Sequence, residues 1–138
     1  ENFNTWSRIF DFADGRHDDN LYVGNYEGSS RVAFEVYPEG GPLGRLLSFS
    51  TIGNTWVHIV VTVEGTTFKL YIDRMLDNYQ TGDAPRVMTR NVHWFGRSQW
   101  DNDGYFDGTI AYLRFRHGVA LGQNQISALY EQRSALPT

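Results

Sequence analysis

Trp56-Val57-His58-Ile59-Val60-Val61-Thr62-Val63 decides the fold, together with Thr67-Phe68-Lys69-Leu70-Tyr71-Ile72 just after it. In the first run Val57, Ile59, Val61 and Val63 share one side of an extended chain, while His58, Val60 and Thr62 share the other. That is the period-two pattern of a half-buried strand, written in β-branched residues that favour it. The second run puts Phe68, Leu70 and Ile72 on one face. Glu64-Gly65-Thr66 between them has turn chemistry, so the pair predicts an antiparallel hairpin.

Outward from this hairpin the same signal recurs at short intervals. Trp6 to Ala13 carries Phe10 and Phe12 on one face, and Leu21 to Gly24 is a short run after a polar turn. Val32 to Tyr37 alternates, with Val32, Phe34 and Val36 on one side and Glu35 and Tyr37 on the other. Leu46 to Ser50 follows the break Pro38-Glu39-Gly40-Gly41-Pro42. Val92 to Gly96 and Gly108 to Arg116 complete the strands. The last has a parity fault, because Ile110 is out of phase with Leu113 and Phe115, and a one-residue bulge near Ala111-Tyr112 is the expected remedy. Asn124 to Tyr130 sets Ile126, Leu129 and Tyr130 at helical spacing. The expectation is all-β: an antiparallel two-sheet β-sandwich with one short C-terminal helix, a single domain over residues 1–138.

The chain has 138 residues, enough to bury a full core, with 15% aromatics and 14 glycines, a mix suited to strands and tight turns. The net charge of −4 argues against a nucleic-acid partner gripped through phosphates. The absence of cysteine excludes a disulfide framework and a cysteine nucleophile. No apolar run approaches the ~18 residues of a membrane span, so direct membrane insertion is not expected. Glu1-Asn2-Phe3-Asn4-Thr5-Trp6 runs straight into a strand pattern without a signal peptide. The expectation is a piece of a longer protein.

Several of these segments carry a resemblance. Trp56 to Val63 and Phe68 to Asp73 resemble the Trp-x-His strand and Leu-Tyr-apolar-Asp hairpin of concanavalin A-like jelly rolls, specifically the laminin G-like and pentraxin-like group. Phe95-Gly96-Arg97-Ser98 resembles that group's Leu-Gly-Arg-Ser turn, and Tyr105 to Ile110 its Phe-x-Gly-x-Ile strand. Gly118 to Leu121 leads into the terminal helix as in the group, and Arg8 to Phe12 and Asn20 to Gly24 fit its earlier strands. Two departures stand out. The hairpin turn after Ile72 reads Asp73-Arg74 where the group has Asp-Gly, which predicts a longer or differently shaped turn. The resemblance also implies an opening strand before Trp6 that is missing here, leaving a sheet edge open to self-association.

The resemblance implies a lectin-like binding module, extracellular or at the cell surface. It also implies a calcium site where Asp19 and Asn20 of the first loop meet Asp101 and Asp103 of the later one. Read from residues alone, Asp18-Asp19-Asn20 and Asp101-Asn102-Asp103 are oxygen-rich clusters of the kind a hard cation such as Ca²⁺ takes. Equally, Asp and Asn are ordinary turn formers. The spacing is not an EF-hand, which with Gly104 as the central glycine would require an oxygen ligand at Ile110.

Trp94, Trp100 and Tyr105 bracket the second acidic loop. Exposed rings stack on sugar faces, and amides such as Asn102 bind hydroxyls, so Trp100, Tyr105, Asn102 and Trp94 are the candidate ligand-binding residues. Trp6, Trp56 and Trp94 lie in strand patterns, where core packing is the competing role. His17, His58, His93 and His117 show no metalloprotease spacing, although His17 beside Asp18 can join a metal shell.

No row of alternating carboxylates marks a glycoside hydrolase, and no Gly-x-Ser-x-Gly elbow occurs. The reading is a non-catalytic module of a secreted or surface protein that binds a glycan or glycoprotein, assisted by Ca²⁺. The alternative is a protein-binding adhesion or assembly module acting through an exposed face or sheet edge. A glycoside hydrolase is the third reading.

Overall fold

The computed structural model describes residues 3–16, 18–38 and 44–133. His17, most of the 38–42 break and the residues after 133 lie outside the described residues. Eight strands and one helix follow in chain order: β1 Arg8–Ala13, β2 Asn20–Asn25, β3 Arg31–Tyr37, β4 Gly44–Thr51, β5 Ile59–Glu64, β6 Thr67–Ile72, β7 Met75–Thr81, β8 Val92–Phe95 and α1 Gln123–Glu131. They form a five-stranded sheet of order β4-β3-β2-β1-β8 and a three-stranded sheet of order β5-β6-β7, antiparallel throughout. The expected sandwich architecture is present.

The deciding hairpin is β5 and β6, in unbroken register from Ile59↔Ile72 to Glu64↔Thr67. Its apolar face meets the inward residues of the larger sheet. Val23, Val32, Phe34, Val36, Leu46, Phe68 and Leu70 form the buried centre, with Ile59, Val61, Val63 and Ile72 packed around it. Phe68 is fully buried and meets Phe34 edge-on at 5.3 Å. Gly44 and Gly82 flank its ring, and a Cβ at either would overlap it. Burying a side chain of this size is worth about 2–3 kcal/mol.

Three expectations are corrected. First, the Asp73-Arg74 turn has the ordinary two-residue length: Ile72 pairs with Met75, and both central residues have positive φ, 45° and 70°. That is a primed hairpin turn made without glycine. Asp73 tolerates the left-handed region, and its Oδ1 accepts the His58 N–H at 2.9 Å. The turn starts β7, which the sequence hides because Met75–Thr81 is an exposed, mostly polar edge strand.

Second, Gly108 to Arg116 runs without joining a ladder. Phe115 packs on Phe10 and Phe12 of β1, while Tyr112 faces His58 beside β5. The parity fault thus marks a mostly exposed segment that touches both sheets without pairing, with no bulge needed. Third, Trp56 lies outside its strand, which begins at Ile59, and is 69% exposed.

The sandwich is closed along one side and open along the other. On the closed side β7 lies against β4: the Asp77 carboxylate accepts the Phe49 and Ser50 amides at 2.6 and 2.9 Å, and Asn78 Nδ2 donates to the Leu47 carbonyl at 2.8 Å. These bonds occupy an edge that would otherwise be a template for another strand. On the other side a groove of about 1280 Å³ opens beside Trp56, His58, Ile59 and the Phe106–Leu113 stretch. Helix α1 buries Ile126 and is tied to the β6–β7 turn by Gln123 Nε2 to the Arg74 carbonyl and by the Arg74–Glu131 ion pair.

Candidate functional site

Apolar residues of the five-stranded sheet point inward, so the alternate positions face outward. Strand register lines four of these up in one row: Asp11 opposite Tyr22, Tyr22 opposite Glu35, Glu35 opposite Arg45. Trp94 of β8 extends the row beyond Asp11. An outward face of a sandwich usually meets water, yet Asp11 and Glu35 are almost fully buried. Buried charge demands partners, and the row supplies them. Tyr22 Oη donates to Glu35 Oε2, and Arg45 Nε donates to Glu35 Oε1. Asp11 accepts from Asn20 Nδ2 at 3.0 Å and from the Gln99 amide at 3.0 Å. Burial pushes the Asp11 carboxyl above its usual range, only partly opposed by those two bonds. Burial likewise raises the Tyr22 phenol, which stays a donor at any physiological pH.

The cover over this face is the segment Ser98 to Gly104. Arg8 holds it. Its guanidinium lies 3.7 Å from the Tyr22 ring centre, donates Nη1 to the Trp6 carbonyl at 2.7 Å and donates Nη2 to Asp103 Oδ2 at 3.1 Å. Ser98 Oγ donates to the same carboxylate oxygen at 2.6 Å and accepts the Trp100 amide at 3.1 Å. Gly104 donates its amide to Thr5 O at 2.8 Å, and any Cβ there would strike Asn4. Glycine is therefore required where this strap crosses the N-terminal segment.

Between strap and sheet lies a pocket of about 170 Å³ lined by Trp6, Arg8, Tyr22, Glu35, Tyr37, Arg45, Trp100 and Asp103. Trp100 stands edge-on to Tyr22 and Tyr37, at 6.3 and 5.4 Å. Trp6 is edge-on to Tyr26 at 5.1 Å, with Arg45 over both rings. Apolar ring walls beside fixed donors and acceptors are the makings of a small polar-ligand site.

Of the candidate ligand residues, the pocket takes Trp100. Tyr105 is 67% exposed and Asn102 is exposed, and neither lines the pocket. Trp94 is 37% exposed and carries the Arg97 guanidinium over its ring at 4.6 Å. Trp6, Tyr37, Glu35, Arg45 and Arg8 were not singled out from sequence as ligand residues. Their signal was present as polar and aromatic residues at every second position opposite the apolar face, but only strand register shows that they align.

The acidic loops are used differently from a shared cation site. Asp19 is buried, with its carboxylate 3.0 Å from Arg86 and its carbonyl accepting from Arg90 Nε at 2.8 Å. Asn20 bonds Asp11 and accepts the Asp18 amide at 3.1 Å. Asp103 is paired with Arg8, and Asp101 is exposed. Among the described residues, no group of three or more His, Asp or Glu side chains is placed to hold a metal ion. With an arginine on each of Asp19 and Asp103, these residues do not fit Ca²⁺, which wants six to eight oxygens around it.

A family model described as concanavalin A-like lectin/glucanases superfamily, of laminin G type, matches residues 1–127. No curated protein matches the chain. Among solved structures it is similar to an S-layer domain-containing protein from Clostridium thermocellum, at 20% identity and a TM-score of 0.44. That likeness covers 93% of this chain and 64% of the other. Among the described residues, no helix is long and apolar enough to cross a membrane.

Proposed function

We propose a carbohydrate-binding role for this chain, which belongs to the concanavalin A-like lectin/glucanases superfamily as a laminin G-like domain. The observation that carries the role is the pocket on the outer face of the five-stranded sheet, where Trp6, Tyr37 and Trp100 wall a floor of paired charges. Sugar rings present C–H faces that stack on aromatics and hydroxyls that exchange hydrogen bonds with fixed polar groups. The pocket holds about one such ring. The module binds and does not cleave: Glu35 is engaged by Tyr22 and Arg45, and Asp103 by Arg8 and Ser98. In this reading the domain is one part of a secreted or surface protein, and it needs no calcium. A glycan array followed by calorimetry on the wild type and W100A tests it. Binding is expected to fall about fivefold or more in W100A, since a lost stacking ring is worth about 1 kcal/mol or more. An array with no hits would overturn the reading.

A second reading, protein binding or self-association, is favoured by one observation. Trp56, which lines the groove, is 69% exposed, and Phe95 of edge strand β8 and Phe115 are 53% and 54% exposed. Exposed aromatics at an uncovered sheet edge suit a protein partner. Concentration-dependent light scattering tests it, with a constant monomer mass as the result that removes it.

A further inference from the structure

We propose that the pocket selects an acidic sugar, one carrying a carboxylate, and that Arg45 is the residue that reads it. This rests on the carbohydrate reading of the pocket and adds the ligand's charge.

The charged side chains of the site differ sharply in how they are spent. Asp11, Glu35 and Asp103 each already accept two hydrogen bonds from within the protein. Arg8 is 3% exposed and divides its terminal nitrogens between the Trp6 carbonyl and Asp103. Arg45 differs from them all. Its side chain is 38% exposed, and its bond to Glu35 runs through Nε. Among the described residues its two terminal nitrogens have no hydrogen-bond partner. Arg45 lines the pocket, with the guanidinium 5.6 Å from the Trp6 ring centre and 5.2 Å from that of Tyr26.

The pocket therefore faces a ligand with free donors and engaged acceptors. A neutral sugar offers hydroxyls that can accept. A carboxylate offers two acceptor oxygens in the planar geometry that a guanidinium fork matches, and it makes charge-assisted hydrogen bonds with the two terminal nitrogens that Glu35 leaves open. Glu35 holds Arg45 from behind, so the fork is oriented before the ligand arrives.

The test uses oligogalacturonide trimers, the same trimers methyl-esterified, and neutral galactose trimers, each measured by calorimetry at low and at physiological salt. The acid form is expected to bind about tenfold more tightly than its ester, the gap between a charge-assisted and a neutral hydrogen bond. That margin should shrink as salt rises. R45Q should bring the ratio of acid to ester affinity close to one. R45K keeps a cation against Glu35 but loses the fork, and should give a ratio between the two. Ester or neutral trimers binding as tightly as the acid would overturn the charge selection while leaving carbohydrate binding standing. An acid preference unchanged in R45K and R45Q would overturn the role of Arg45. No binding of any trimer, with no hit on the wider array, would overturn both the selection and the carbohydrate reading. The acid-against-ester comparison alters only the ligand, so it stands even where an Arg45 variant folds poorly.

Discussion

Asp101 and Asp103 have the same side chain two positions apart in one loop, and the structure gives them different tasks. Asp101 is exposed, whereas Asp103 neutralises a guanidinium buried to 3% exposure. Sequence shows an acidic loop in both cases, because the partner that separates them, Arg8, lies 95 positions away. D103A leaves Arg8 with Asp11 at 3.9 Å as its nearest carboxylate, and should cost about 3 kcal/mol in urea unfolding. D101A should stay within about 0.5 kcal/mol. Equal losses would mean that the strap is not held by Arg8. The same pairing gives an expectation for calcium. Arginine already neutralises both Asp19 and Asp103, so excess Ca²⁺ should leave the Tm unchanged by calorimetry. A rise with Ca²⁺ would show ligands binding where the arginines now sit.

At the scale of elements, strands that alternate were legible and those that do not were missed. β3, β5 and β6 each turn an alternating apolar row to the core, so hydrophobicity writes their period. β7 buries little and is defined by the turn before it and by Asp77 and Asn78 reaching β4. In that turn Arg74 holds a left-handed φ of 70° while pairing with Glu131. R74G should relieve about 1 kcal/mol of backbone cost and lose an exposed pair worth at most about the same. Its net effect on urea unfolding should be small. D73A removes the acceptor of the His58 amide and should cost more than R74G. Reversed rank would show that the helix contact dominates the turn.

His58 gives the same region a pH dependence. It lies between Tyr112 and Tyr130, and burial holds its pKa below 6.5, with Arg133 acting the same way and Asp73 opposing. The unfolded chain therefore takes the proton first. Stability from neutral His58 is complete above pH 6.5 and declines as pH falls below it. The Tm should drop between pH 7.5 and pH 5.5, and H58Q should flatten that drop. An identical slope in H58Q would assign the dependence elsewhere.

Over the whole molecule, sequence made the two sheets legible and left their outer faces unread. Inward residues repeat in one chemical class, so a core built on Phe68 follows from pattern alone. F68A should cost about 3–5 kcal/mol, as expected for an emptied aromatic site. Outward residues follow no such class. Asp11, Tyr22, Glu35 and Arg45 become one row only when four strands take their register, and a pocket only when the strap carrying Trp100 folds over them. The pocket lies on the outer face of the five-stranded sheet, while among the described residues β5 and β8 are edge strands of their sheets. The most direct test of the pocket uses the four tryptophans as reporters. Their indole N–H resonances are followed in a two-dimensional ¹H–¹⁵N NMR titration with oligogalacturonide. The expected result is saturable shifts at Trp100 and Trp6, with Trp56 and Trp94 unmoved. Shifts confined to Trp56 or Trp94, or no saturable shift at Trp100, would contradict an acidic-sugar site in this pocket.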